Sequence, residues 1–396
     1  MMYEFSSCFE GVTGSEIRKI FALLADPQII SFAGGNPSPD TFPAEELAQI
    51  SDEIIKNDAR TVLQYGGTLG MPSLIELLKQ RNAGIMKKDD EIIVLTGSSQ
   101  GISLFSTAML NKGDKILVES PTFLGALQTF LVAGADIKSV RMQDDGVVLE
   151  DLEQKIIDFA PKFFYVIPTF QNPMGITTSE QKRQEIYRLC KKHGVLILED
   201  DPYAELRYEG QALPSIKSYD DCGLVCKLSS FSKTISPGLR VGYAIANKEI
   251  IEKFNLLKQG ADVHTSNLTQ ALVYEYIKRG RYEQHIEILC AEYTKKRDAM
   301  MRAIKQYFPN YVRYTNPQGG LFLWVTLPKN FNARELFAKC VEKKVAFVVG
   351  APFYTAQDTG HDNTLRLNFS MPSIENINIG IERMGAVIRA YEGDLK

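Results

Sequence analysis

Between residues 69 and 245 the apolar positions recur with two alternating periods. In SLIELLKQRNAG, GISLFSTAMLNKG, GALQTFLVAGA, LEQKIIDFA and SEQKRQEIYRLCKKHG they fall on one face of a helix. Between these stand short runs, EIIVLTG, KILVES, DIKSVRM, FFYVIP and VLILED. Several of the short runs, VLIL and FFYVI among them, are apolar without alternation, as a strand is when both its faces are covered. Helix and strand in turn predict an α/β fold, a mainly parallel sheet sandwiched by helices.

After Asn247 the pattern changes. KEIIEKFNLLKQ and RYEQHIEILCAEYTKKRDAMMRAIKQYF read as longer helices, the second crossing between domains. The remainder, VRYTNPQGGLFLWVTLP, ARELFAKCVEKK, VAFVVG, TLRLNFS and SIENINIGIERMGAVIRAYE, alternates strands and helices around a Gly-Gly turn and predicts a smaller α+β domain.

Composition narrows the function. A chain of 396 residues with 44% hydrophobic content and mixed charges suits a globular enzyme of more than one domain. A net charge of -3, with no long basic block, gives no field for nucleic acid or a membrane surface, and favours small-molecule partners. The opening MMYEFSSCFEGVTGSEIRKI has no basic leader with a long apolar core, and no apolar run reaches the roughly 18 residues that span a bilayer, so a cytoplasmic location is expected. The six cysteines, Cys8, Cys190, Cys222, Cys226, Cys290 and Cys340, are scattered and expected to be reduced. Cys222 and Cys226 have the look of half a metal site, but no second Cys/His pair stands at a suitable spacing and the four histidines are dispersed, so no metal is expected.

The segment CKLSSFSKTISPGLRVGY, residues 226–243, delivers two serines, a lysine and an arginine to one place. Lys233 can form a Schiff base with an aldehyde carbon, and Ser230, Ser232 and Arg240 can donate to a phosphate dianion. Pyridoxal 5'-phosphate has both groups. The competing reading is an exposed lysine at a strand end with serines as turn residues. In TGSSQG a strand gives way to a helix at Ser98, Ser99 and Gln100, whose exposed N–H groups suit an anion, although serine is also an ordinary helix cap. VLILEDDPY ends a buried strand on Asp200 and Asp201, which point opposite ways in an extended chain, or else merely punctuates a turn. Asn172 stands before a proline in QNPMG, and Arg366 projects from the apolar strand TLRLNFS, where it needs a partner. Phe123, in the loop after KILVES, is a candidate to stack on a ligand ring, or is core.

These segments, together with EIRKI at 16–20, SFAGGNPSPDTFP at 31–43 and LQYGGTLGMPSL at 63–74, follow one order over nearly the whole chain. In that order they resemble the fold-type I pyridoxal-phosphate-dependent aminotransferases of class I/II, in the branch with 2-aminoadipate and kynurenine aminotransferases and the effector domains of certain fused transcription regulators. The resemblance implies an arm, residues 1–50, joined to a small C-terminal domain, 291–396, beside a large cofactor-binding domain, 51–290. It gives Asp200 the cofactor's pyridine nitrogen, Tyr203 and Asn172 its phenolic oxygen, and Arg366 the substrate α-carboxylate, with Asn172 helping to seat that carboxylate. Arg18 and Gly35 fall on the arm that folds over the substrate, and Tyr65 on a position that reaches the phosphate in the other subunit of a homodimer. An amino acid and a 2-oxo acid such as 2-oxoglutarate are the implied substrates. Three positions depart from the family pattern: Phe123 for a tyrosine, Met174 for a threonine and Val349 for a proline. A lyase or decarboxylase on the same scaffold is the rival within enzymes. A ligand-sensing module is the rival outside them, though fewer than about 20 residues precede EIRKI, too few for a winged helix.

Overall fold

The structure, a computed structural model, describes residue 3, residues 5–9 and residues 26–394. Its larger sheet has eight strands in the order Asp90–Leu95, Gly242–Asn247, Val225–Ser230, Leu196–Asp200, Phe163–Val166, Lys115–Ser120, Asp136–Gln143 and Gly146–Val147. Six strands run one way. Gly242–Asn247 is antiparallel to both its neighbours, and the two-residue Gly146–Val147 folds back on the edge.

Alternation explains the unbroken apolar runs. In Leu196–Asp200, Ile197 packs with Leu117, Phe164 and Val225 on one face, while Leu198 packs with Ile116, Tyr165 and Leu228 on the other. Helices cover both faces, so neither can be polar. Because six of the strands run the same way, their carboxyl ends lie along one rim, which brings Thr96, Ser120, Ile167, Asp200 and Ser230 to the same side of the sheet.

A four-stranded antiparallel sheet follows, in the order Arg313–Tyr314, Phe322–Thr326, Thr364–Asn368 and Val348–Val349. Its Leu323, Val325, Leu365 and Leu367 belong to the same buried cluster as Leu95 and Leu228. Upstream, Ile30–Ser31 pairs in parallel with Val345–Ala346 as a separate two-stranded sheet, which binds the segment before residue 44 to the chain just ahead of Val348–Val349. The helix Arg281–Tyr307 runs for 27 residues and packs against Ile374–Asp394 and Asn267–Lys278. The periodic reading passed over two helices, the 19-residue Ala44–Val62 and the 12-residue Asn267–Lys278. Among the described residues no helix is long and apolar enough to cross a membrane, and no cluster of three metal-ligating side chains occurs.

Candidate active site

A cavity of about 330 Å³ opens at the carboxyl rim of the large sheet, between it and the four-stranded sheet. Lys233 enters it from the turn after Val225–Ser230. Its Nζ donates to the Gly35 carbonyl at 2.8 Å. Burial, with the Arg366 and Arg240 guanidinium groups near it, pushes the amine down to about 8 against a pull from Asp200. An amine in that range is neutral in a large fraction of molecules near pH 8, which a nucleophile requires.

Asp200 ends its strand only 3% exposed. One oxygen, Oδ2, accepts from the Tyr165 hydroxyl at 2.8 Å, whereas Oδ1 has no partner among the described residues. Burial pushes this carboxyl up to about 7, with the Tyr165 hydrogen bond opposing. A buried acid with one oxygen unsatisfied is costly unless a ligand supplies a donor. Its neighbour Asp201 turns the other way and is ion-paired to Lys227.

Arg366 is buried from the opposite side of the cavity, on the strand Thr364–Asn368. It donates from Nη1 to Asn172 Oδ1 at 2.9 Å and from Nη2 to the Ala33 carbonyl at 3.0 Å, and lies 4.3 Å over the Phe322 ring. Nε is unpaired. No ion pair to a carboxylate forms at Arg366 among the described residues, and burial pushes the guanidinium down to about 10. Such a group is set to receive an anion. Tyr203 stands between, edge-on to Phe322 at 5.8 Å.

The remaining wall is made of hydroxyls and backbone. Ser98 and Ser99 begin the helix Ser98–Met109, and Ser230 donates to Ser232 at 2.9 Å. Arg240, exposed and held at φ 53°, donates to Ser232 Oγ at 3.4 Å and to the Thr96 carbonyl at 3.0 Å. Gly97 sits at φ 83°, and a Cβ there would collide with the Arg240 guanidinium, so only glycine lets the arginine close on the turn. Phe123 is half-buried on the wall.

Thus Gly35, Ser98, Ser99, Phe123, Asn172, Asp200, Tyr203, Ser230, Ser232, Lys233, Arg240 and Arg366 share one cavity. Two expected members do not. Gln100 turns its side chain away to Thr96, Lys258 and Asp262, because its first-turn position faces the neighbouring helix rather than the opening. Tyr65 is 80% exposed beside His264, outside the cavity of a single chain. Arg18 lies outside the described residues. Sequence reasoning missed Tyr165, Asn36 and Ile167. Of these only Tyr165 had a signal, a hydroxyl in the otherwise apolar FFYVIP, where burial demands a partner.

Residues 27–384 match the family model described as aminotransferase class I and II. The chain is 36% identical, over 97% of its length and 94% of the relative's, to aromatic-amino-acid aminotransferase 1 of Thermococcus litoralis. Among solved structures it is similar to a Pyrococcus horikoshii kynurenine aminotransferase in complex with PMP, KYN and KYA, with TM-score 0.94, 36% identity and coverage of 98% and 97%. It is also similar to LysN, an alpha-aminoadipate aminotransferase of Thermus thermophilus complexed with N-(5'-phosphopyridoxyl)-L-leucine, with TM-score 0.91, 35% identity and 98% coverage of both chains.

Proposed function

The chain belongs to the class I and II aminotransferases, and from that premise we propose which residues do the chemistry and which substrates they take. The enzyme is an amino acid aminotransferase with pyridoxal 5'-phosphate as cofactor. When bound, the cofactor supplies an aldehyde that an amine can attack and a pyridine ring that draws electrons from the substrate Cα. The residues fit it. The unpaired Asp200 Oδ1 suits a protonated ring nitrogen, and the amine at Lys233 is reactive. Ser98, Ser99, Ser230, Ser232 and Arg240 offer donors and positive charge without an acid among them, as a phosphate requires.

In this reading Lys233 holds the cofactor between turnovers, and its freed Nζ takes the proton from the substrate Cα. A cation against Asp200 favours its ionised form, so it keeps the ring nitrogen protonated, and Tyr165 fixes its orientation. Tyr203 and Asn172 donate to the phenolic oxygen, and Phe123 covers the ring. Arg366 orients the substrate α-carboxylate with help from Asn172. The Gly35 segment closes the cavity over Lys233 and excludes water.

The donors are 2-aminoadipate, aromatic or other large amino acids, and 2-oxoglutarate is the acceptor, a range supported by the names of the relatives. The same proposal includes a homodimer in which Tyr65 completes the partner's site, supported by its exposure in the single chain. It also includes a large domain of residues 51–290 with the smaller remainder closing on it, and a cytoplasmic location. One observation carries the reading: a lysine pushed down to about 8 and a buried carboxylate with a free oxygen open into the same cavity. Asp200→Asn should retain cofactor, seen by its visible absorption, yet lose most transamination between a donor panel and 2-oxoglutarate. Near wild-type turnover in that variant would sink the assignment. Release of ammonia or carbon dioxide without consumption of an oxo acid would sink the substrate reading.

A further inference from the structure

Behind the turn that carries Ser98 and Ser99 lies a closed set of polar groups that the mechanism above does not use. Lys258, on the helix Lys248–Ala261, is a fully buried side chain. It donates to both Asp262 oxygens at 2.9 Å, to Gln100 Oε1 at 2.8 Å and to Thr265 Oγ1 at 3.1 Å. Asp262 Oδ2 accepts in turn from Thr96 Oγ1 at 2.7 Å and from Gln100 Nε2 at 2.8 Å. The Thr96 backbone N–H closes the circuit by donating to Gln100 Oε1 at 2.8 Å.

Thr96 is where this circuit meets the cavity. Its carbonyl receives Arg240 Nη2, and the next residue is the Gly97 that opens the helix bearing Ser98. The hydroxyl, the amide and the carbonyl of one residue are therefore committed, the first two to the circuit around Lys258 and the third to the cavity arginine. Helix stability alone does not account for Asp262. It occupies the C-cap of Lys248–Ala261, where an acid opposes the helix dipole. A buried lysine needs only a charge partner, yet here the pair is threaded through two residues of another element. Donors at a phosphate are effective only when held within about 0.5 Å of their working positions, and Thr96 is the point at which that precision is set.

We propose that the Lys258–Asp262 pair, acting through Gln100 and Thr96, positions the Ser98–Ser99 turn and Arg240, so that recognition of the cofactor's phosphate depends on an ion pair that never touches it. This rests on the phosphate reading of that end of the cavity. It also gives Gln100, expected at the cofactor, a place one step behind it.

The test compares pyridoxal 5'-phosphate with pyridoxal, which lacks the phosphate, by titrating each into enzyme resolved from the purified holoenzyme. Asp262→Asn should weaken pyridoxal 5'-phosphate by at least about tenfold while pyridoxal changes by less than about twofold. Gln100→Ala, which removes no charge, should show the same selective loss to a smaller degree, and it decides the matter if Asp262→Asn fails to fold. Asp220→Asn breaks another buried lysine pair, that with Lys217, and should lower the melting temperature without changing the ratio of the two affinities. An unchanged ratio in folded Gln100→Ala and Asp262→Asn overturns the proposal. A wild-type enzyme that binds both compounds equally would remove the phosphate site itself, and the proposal with it.

Discussion

The two arginines of the cavity come from differently built ends. Arg240 sits in a stretch with Ser230 and Ser232, exposed, and touches groups no more than eight residues away apart from Thr96. Arg366 is 2% exposed, and its donors reach Asn172, 194 residues distant, and Ala33, 333 residues distant. One end is a local segment that brings its own donors and stays open to water. The other is assembled by the fold around a cation with no counter-ion among the described residues. Solvent screens the first and not the second, so equal charges should have unequal effects.

The largest effect expected is at the buried end. Arg366→Ala should lower kcat/KM by at least tenfold for every donor alike, because losing a hydrogen-bonded charged contact costs about 1.5–3 kcal/mol. Cofactor affinity should stay near wild type. A loss confined to particular donors, or one accompanied by loss of cofactor, would mean that Arg366 does not serve the α-carboxylate.

At the open end, Arg240→Ala should weaken the cofactor by a few-fold to about tenfold and leave kcat at saturating cofactor largely intact, since screening reduces what an exposed charge contributes. Added salt should weaken wild-type cofactor binding more than it raises the KM of the amino donor. The reverse order of salt sensitivity would break the contrast between the two ends.

The same contrast governs what the chain revealed in advance. The parallel layers were legible because covered strands leave apolar runs, and the Ser230–Arg240 cluster because its parts are neighbours in sequence. Arg366 stood out only as a charge on an apolar strand; its contact with Asn172 depends on how the two sheets meet. Periodicity could not show that Gly242–Asn247 runs against its neighbours, since an antiparallel strand buried on both faces looks the same. Gln100 failed for a geometric reason: a helix's first turn points its side chains in different directions, and adjacency to Ser99 does not decide which one faces the cavity. Tyr165 left a signal that went unread.

The smallest effect is also the sharpest comparison, because Lys233 feels both arginines. Burial is the main reason its amine is pushed down to about 8, and Arg366 adds more than Arg240. Both neighbours are positive, so removing either favours the protonated amine and must move its midpoint upward, toward the ordinary 10.5. Asp200 acts in the opposite sense, and Asp200→Asn must move the midpoint down. In enzyme resolved of cofactor, the pH dependence of Lys233 acylation by a small neutral reagent, followed by peptide mass, reports this midpoint. Arg366→Ala should raise it by more than Arg240→Ala, because the buried guanidinium acts through a medium that screens little while the exposed one acts partly through water. A larger rise in Arg240→Ala would show that solvent reaches Arg366 as readily as Arg240, and the difference between the two ends of the cavity would then be one of sequence distance alone.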